Sequence, residues 1–199
     1  MSYVGVKNFA YAILSKDDST GVTYGDFVAV PGINKVEVKP NSSSASNYGD
    51  DVPLETAVSL GDIDVSLDLV DIPAKDVAAL LGHTVKDGVT TYAGDDAAPY
   101  VAIRFQGTKG DGTAKYIKIL KVKFQEPTDT LATKENSAKF QNPKIEGKAT
   151  ARIYDREWKR TLDGDGAEEA TITAFLATVE PVASSSSSSK PGTTTTSGS

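Results

Sequence analysis

Side chains able to do chemistry are few in this 199-residue chain, and they stand apart from one another. The single histidine, His83, directly follows Gly82. It has no second imidazole and no thiol with which to build a nucleophilic dyad. A histidine just behind a helix end is instead favoured there when charged, because the C-terminus of a helix carries partial negative charge. Carboxylates come as doublets: Asp17-Asp18, Asp50-Asp51, Asp95-Asp96 and Glu168-Glu169. Adjacent residues of a strand point to opposite faces, so a doublet is not an acid paired with a base. All four sit in or beside turn-forming stretches and read as solvated turn residues. A glycosidase would need two carboxylates across a cleft, and nothing in the spacing supports one. The run Asp163-Gly164-Asp165-Gly166-Ala167-Glu168-Glu169 shares composition with a calcium loop. It lacks the Asp-x-Asp-x-Asp-Gly spacing and the flanking helices, so a turn between two strands is expected. Trp158 lies among charges in Tyr154–Arg160. Exposed, it could bind a sugar or a neighbouring subunit; turned inward, it anchors a strand end, which is the preferred reading. Gly-x-Ser-x-Gly, His-Glu-x-x-His and phosphate-cradling motifs are missing. The chain is therefore expected not to be an enzyme, with no catalytic residues, no metal ligands and no cofactor.

Composition narrows the classes further. The chain has no cysteine, which removes disulfides, thiolate nucleophiles and cysteine metal sites together. Its formal net charge of −6 disfavours phosphate binding, which draws on clustered Lys and Arg. That argument does not touch a protein that must let DNA pass without holding it. The longest apolar runs, such as Val77–Leu81, fall far short of the roughly 20 residues that cross a membrane. Met1–Ala10 has no basic region followed by an apolar core, so no signal peptide is expected, and the protein is expected to be made and used, or packaged, in a cytoplasm.

The elements that must position these residues are mostly strands. Period-two alternation bounded by Gly, Asp, Asn and Pro dominates the chain. Phe9–Leu14 and Asp26–Val30 are expected to form a hairpin around Asp17–Gly21. Ile33–Lys39, Leu54–Leu60 and Asp62–Val70 follow. Tyr100–Gln106 and Lys115–Gln125 flank the glycine-rich loop Gly107–Gly112. Ile145–Tyr154 and Ala170–Thr178 complete a count of about nine strands. One short helix is expected over Pro73–Leu81: Pro suits its first turn, Ala74, Val77, Ala78 and Leu81 share a face, and Gly82 stops it. Two polar segments, 40–53 and 126–143, are expected to be long loops. From Ser184 to Ser199 the chain is a Ser/Thr-rich, low-complexity tail expected to be disordered. The domain plan is thus a β-domain over 1–183 and a tail over 184–199. The fold class is mainly β: two packed sheets, as a sandwich or partial barrel, with one short flanking helix.

Three blocks carry a family resemblance. Gly5–Ala12 resembles the opening of the major tail proteins of long-tailed bacteriophages of Gram-positive bacteria. Gly61–Pro73, running into Ala78–Gly82, resembles that family's central strand–helix unit. Lys121–Pro127, then Phe140–Gly147, is similar to its later strand–loop–strand. The order and spacing of the blocks, over roughly Met1–Val179, make the likeness fairly specific, although no single motif is diagnostic. The resemblance implies a structural virion protein whose subunits form six-fold rings that stack into a tail tube, the conduit for DNA into the host. It implies partners of three kinds: copies of itself, other tail proteins such as the tape measure and the tail terminator, and DNA that passes without specific binding, with no membrane involved. It places the protein in the virion tail, assembled in the host cytoplasm. By position, the segment 40–53 would be the family's inter-ring loop, with Ser43, Asn47, Tyr48, Asp50 and Asp51 as contact residues. Some relatives carry an immunoglobulin-like C-terminal domain, whereas this chain ends in the Ser/Thr tail. A competing reading is a secreted or surface β-domain for adhesion or carbohydrate binding, for which the missing signal peptide is a counter-argument and Trp158 the one hint.

The alternation of Asp62–Val70 sharpens the expectation. Ile63, Val65, Leu67 and Leu69 point one way and belong to the core; Asp62, Asp64, Ser66 and Asp68 point the other, toward something wet. That could be outer solvent, or a sheet on which the acids pair with Lys121 and Lys123, or the lumen of the tube. In the lumen reading, Asp62, Asp64 and Asp68 would repel the duplex and keep it centred and sliding.

Overall fold

The computed structural model describes residues 3–49, 52–70, 72–127 and 144–179; for 43–49 and 52–59 only the backbone pairing is described. The chain is mainly β. In order it runs β1 (Tyr3–Asp18), β2 (Gly21–Tyr24), β3 (Val28–Ala29), β4 (Ile33–Gly49), β5 (Val52–Leu69) and α1 (Ala74–Leu81). It continues through β6 (Thr84–Lys86), β7 (Val89–Thr91), β8 (Tyr100–Lys109), β9 (Ala114–Phe124), β10 (Lys144–Ala149), β11 (Lys159–Asp163) and α2 (Glu169–Ala177). Among the described residues nine strands share one antiparallel sheet, with the path β2-β1-β8-β9-β10-β5-β4, β11 added beside β9 and β3 beside β1. β6 and β7 form a separate two-stranded sheet.

The two layers expected from the alternation are two regions of this one sheet. β1 and β4, far apart in strand order, come into contact, so the sheet curls around its core. The core takes alternate residues of most strands: Phe9 and Tyr11 from β1, Ile63, Val65, Leu67 and Leu69 from β5, Val101 and Ile103 from β8, and Ile145 from β10; in β9 an irregularity of the pairing with β8 separates Ile119 from Val122 and Phe124. Burying each such side chain contributes about 1.5–3 kcal/mol. A smaller cluster of Ala12, Ala102, Leu120 and Val179 lies apart from this core, with Tyr24 and Phe27 against it.

α1 closes one end of the core through Ala78, Leu80 and Leu81. Its boundaries match the sequence signals: Pro73 is the N-cap, and Gly82 is left-handed at φ 84°, with its N–H on the Ala78 carbonyl. An added Cβ at Gly82 would stand 2.4 Å from the Ala97 carbonyl oxygen, so the close approach of the next loop also requires glycine. The buried Asp76 carboxylate accepts a hydrogen bond from the Tyr11 hydroxyl at 3.1 Å, tying α1 to β1. Burial, with Asp76 beside it, pushes the Tyr11 phenol well above its ordinary range.

Several expectations change. The segment 40–53 is not a loop: β4 runs on to Gly49 and β5 starts at Val52, so it is the outer part of one long hairpin. The prolines that suggested a break sit at irregularities of the pairing, between Pro40 and Ser42 and between Asn47 and Tyr48, the latter opposite Pro53. There a missing N–H costs little. Ala170–Thr178 is not a strand but lies largely in α2, a second helix. The first hairpin closes at Ser19-Thr20 with β2, and β3 is a separate short partner of β1. β10 ends at Ala149, and the chain turns at 153–155. The β6–β7 hairpin, turning at Asp87 and Gly88 with φ of 51° and 79°, is an additional element beyond the expected strands. Residues 128–143 of the second expected loop, and the Ser/Thr tail, lie outside the described residues.

Candidate functional site

The outward face of β4, β5 and β10 is where strand register gathers the most charge. The alternation in β5 places Asp62 and Asp64 in solvent and Asp68 half-buried, above a fully buried row of Ile63, Val65, Leu67 and Leu69. Pairing then sets lysines beside the acids. Asp68 stands between Lys35 of β4 and Lys144 of β10, and Asp64 stands between Lys39 and Lys148. Ser66, in the middle row, stands between Glu37 and Glu146. Lys148 is followed across the sheet by Lys123 of β9, and Lys123 by Tyr100 of β8.

The face is therefore a chequerboard. Lys35, Lys39, Lys123, Lys144 and Lys148 balance Glu37, Asp62, Asp64, Asp68 and Glu146, and its formal charge is zero. Neighbours along a strand on the same face also pair, Lys35 with Glu37 at 2.7 Å and Lys144 with Glu146 at 2.6 Å. Lys148 reaches Asp62 at 2.7 Å, and Asn41 donates to Asp64 at 2.9 Å. The carboxylates of Asp62, Glu37 and Glu146 raise the Lys148, Lys35 and Lys144 ammonium groups above their ordinary values. A groove of about 400 Å³ runs over this face, lined by Lys39, Asp64, Ser66, Gln125, Glu146 and Lys148 among others. Asp62, Asp64 and Asp68 thus meet the wet side, and their lysine neighbours are Lys35, Lys39, Lys144 and Lys148. Lys121 is spent elsewhere, and Lys123 stands one strand further on, opposite Lys148.

Beyond that face lies a polar cluster that spacing did not reveal. The Asp17 side chain, 5% exposed, accepts from Lys121 Nζ at 2.6 Å and from the amides of Ile153 and Tyr154 at 3.0 and 3.2 Å. Burial pushes the Asp17 carboxyl up, but Lys121 and the two amides outweigh it and hold the group below its ordinary value. Next to it, the fully buried Arg152 donates to Asp155. Trp158 packs, half-buried, against the main core, as the inward reading expects, so the carbohydrate reading loses its one hint. The only sequence signal for this cluster was the charge density of 152–160; its partners Asp17 and Lys121 are more than thirty positions away.

The remaining candidates separate. Asp18 accepts from Thr20 N at 2.8 Å and from its hydroxyl at 2.6 Å, which lower its carboxyl to about 2. Asp163 pairs with Lys109 at 2.5 Å and with Lys115 at 3.5 Å, and 163–169 joins a strand to a helix rather than two strands. Among the described residues no group of His, Asp and Glu is arranged to hold a metal ion, and no helix is long and apolar enough to cross a membrane. His83 is fixed differently from a simple helix-end histidine: Nδ1 lies 2.7 Å from Asp96 and Nε2 3.1 Å from Glu126. Backbone pairing places Ser43, Asn47 and Tyr48 in the outer hairpin, opposite Ser59, Glu55 and Pro53; Asp50 and Asp51 lie outside the described residues.

No family model matches the chain, and no curated protein matches it. Among solved structures, the chain is similar to one from the cryo-EM structure of the anti-feeding prophage (AFP) baseplate, 6-fold symmetrised. The identity is 11%, the TM-score is 0.33, and the match covers 81% of this chain and 97% of that one.

Proposed function

We propose that this protein is a structural, non-catalytic subunit of a phage tail that polymerises as stacked six-fold rings into the tail tube, through which DNA leaves for the host. The observation that carries the reading is the β4–β5 hairpin. Its inner part, Ile33–Pro40 on Ile63–Leu69, lies on the core; its outer part, Ser42–Gly49 on Val52–Leu60, pairs only with itself among the described residues. Among the described residues β4 pairs with β5 alone, so its other edge has no strand partner, although β4 also comes into contact with β1. In a lone subunit such an edge is a liability; in a ring or a stack it is covered by the next copy. The three resembling sequence blocks point to the same kind of assembly, and the arm falls where the resemblance expects the inter-ring contact.

The neutral face suits a conduit. With lysines and carboxylates alternating, a passing duplex meets no sustained potential of either sign beyond about 8 Å at physiological salt. The passage then depends on mutual neutralisation rather than on the acidic stripe of β5 alone. A basic face would hold every length of duplex it met. In this reading Asp62, Asp64 and Asp68 line the lumen together with their lysine neighbours, and the tape measure and tail terminator are the further partners. Negative-stain electron microscopy of the concentrated protein tests the proposal. Stacked rings with an open centre are expected; discrete single subunits at every concentration and salt would contradict it.

A further inference from the structure

Residues 82–98 form an arm that the main sheet does not hold by strand pairing: its β6–β7 hairpin is a sheet by itself and exposes Val85, Val89 and Tyr92. At its root lies His83, whose side chain is only 5% exposed. The backbone fixes that root, with Gly82 N–H and His83 N–H both on the Ala78 carbonyl. The imidazole faces a carboxylate on each side. Nδ1 is 2.7 Å from Asp96, whose carboxylate also accepts the Ala93 N–H at 2.9 Å; Nε2 is 3.1 Å from Glu126, just past the end of β9. Tyr92 lies over the ring at 4.3 Å between centroids. The other described walls of this cleft are Leu81, Ala93, Ala98 and Phe124, so among the described residues the titratable groups facing His83 are Asp96, Glu126 and Tyr92, with no cation.

Two carboxylates can only accept, so each ring nitrogen must carry a proton to satisfy them. The imidazolium does this; either neutral tautomer turns a bare lone pair toward one of the two carboxylates. We propose that His83 is a protonation-controlled latch: as imidazolium it clamps the 82–98 arm to the end of β9, and loss of one proton releases that arm while the main sheet stays folded. The inference is independent of the tail-tube reading.

The sign follows from the environment. Asp96 first, with Glu126 further, outweighs burial and raises His83 above its ordinary 6.5. The clamp's contribution is therefore complete below pH 6.5 and is lost as pH rises through the folded value. On the acid side, the Ala93 amide and then His83 hold Asp96 below its ordinary 3.8, so that carboxylate stays charged to a lower pH than a free one.

The test uses the fact that His83 is the chain's one histidine, so every imidazole signal is its own. Nitrogen-detected NMR of the full chain should show both ring nitrogens protonated at pH 6 and a midpoint above 6.5. Hydrogen exchange of amides 84–98, corrected for the intrinsic rate, should rise through that midpoint, about tenfold for each pH unit by which it exceeds 6.5. Amides of β8 and β9 should stay protected. Glu126→Gln, at a side chain 55% exposed, should lower both the midpoint and the exchange transition together. A wild-type midpoint at or below 6.5, or arm exchange that ignores the midpoint or stays put in Glu126→Gln, would overturn the latch.

Discussion

Lys148 Nζ lies 2.7 Å from Asp62 Oδ2, reaching diagonally past Asp64, its register partner across β10 and β5. Asp64 in turn is held by Asn41 of β4. The pairing shows how the face is balanced: each acid of β5 has cations of the flanking strands within reach, so no single strand sets the potential.

That balance predicts DNA behaviour. The purified protein should show no measurable binding of duplex DNA at physiological salt. Replacing Asp62, Asp64 and Asp68 with Lys raises the charge by two at each position and should create binding. Its log affinity should fall linearly with log salt, with a slope near 0.9 per phosphate contacted. Fluorescence anisotropy of a labelled duplex reads both. A triple variant that binds no better than wild type at low salt would mean that these side chains do not set the field of an accessible face.

The buried Asp17–Lys121 pair predicts an acid limb of stability. A carboxyl held below its ordinary value contributes above the unfolded-state pKa, near 3.9, and the contribution is lost as pH falls through the lower folded value. Asp17→Asn leaves Lys121 buried without its carboxylate and should cost about 3 kcal/mol near neutral pH. Urea unfolding at pH 7 and pH 3 should show the loss at pH 7 and a narrower gap between variant and wild type at pH 3. An equal gap at both would remove this pair from the acid limb.

α2 depends on two distant cations. Arg104 donates to the Leu176 carbonyl, and Lys118 Nζ donates to the Thr178 carbonyl at 2.5 Å and stands 3.9 Å from the centre of the Phe175 ring. Lys118→Met should cost roughly 1–3 kcal/mol by removing a charged donor from the carbonyl that follows the helix. Proteolysis should then cut first within 169–177, with the sheet intact. A variant in which cutting is unchanged would show that α2 is held by its apolar contacts alone.

This dependence explains much of what the sequence did and did not disclose. Thr171, Ile172 and Thr173 favour a strand by local preference, and nothing nearby announces that Arg104 and Lys118 will hold the following turn as a helix end. By contrast α1 was legible because Pro73 and Gly82 carry its boundaries locally. The inward row of β5 was legible because alternation fixes faces. The lysine neighbours of Asp62, Asp64 and Asp68 were not, because register joins strands whose order along the chain is β4, β5, β9 and β10. The outer hairpin was hidden by serines and prolines that fit a self-paired arm as well as a loop. The partners of His83, 13 and 43 positions away, left only its helix-end position visible.

The arm predicts a separation of folding from assembly. Replacing residues 43–59 with a two-residue Asn-Gly turn keeps every strand pair that covers the core. The thermal midpoint should shift by no more than a few degrees, while stacking into tubes is lost. Differential scanning calorimetry and electron microscopy of the same sample read both. Normal tubes from the shortened chain would remove the arm from the contact between rings.

Self-assembly itself is tested most directly by multi-angle light scattering of the full chain across a wide range of concentration and salt. A species of six times the subunit mass is expected, growing into longer particles as concentration rises. A single-subunit mass under every condition would contradict it.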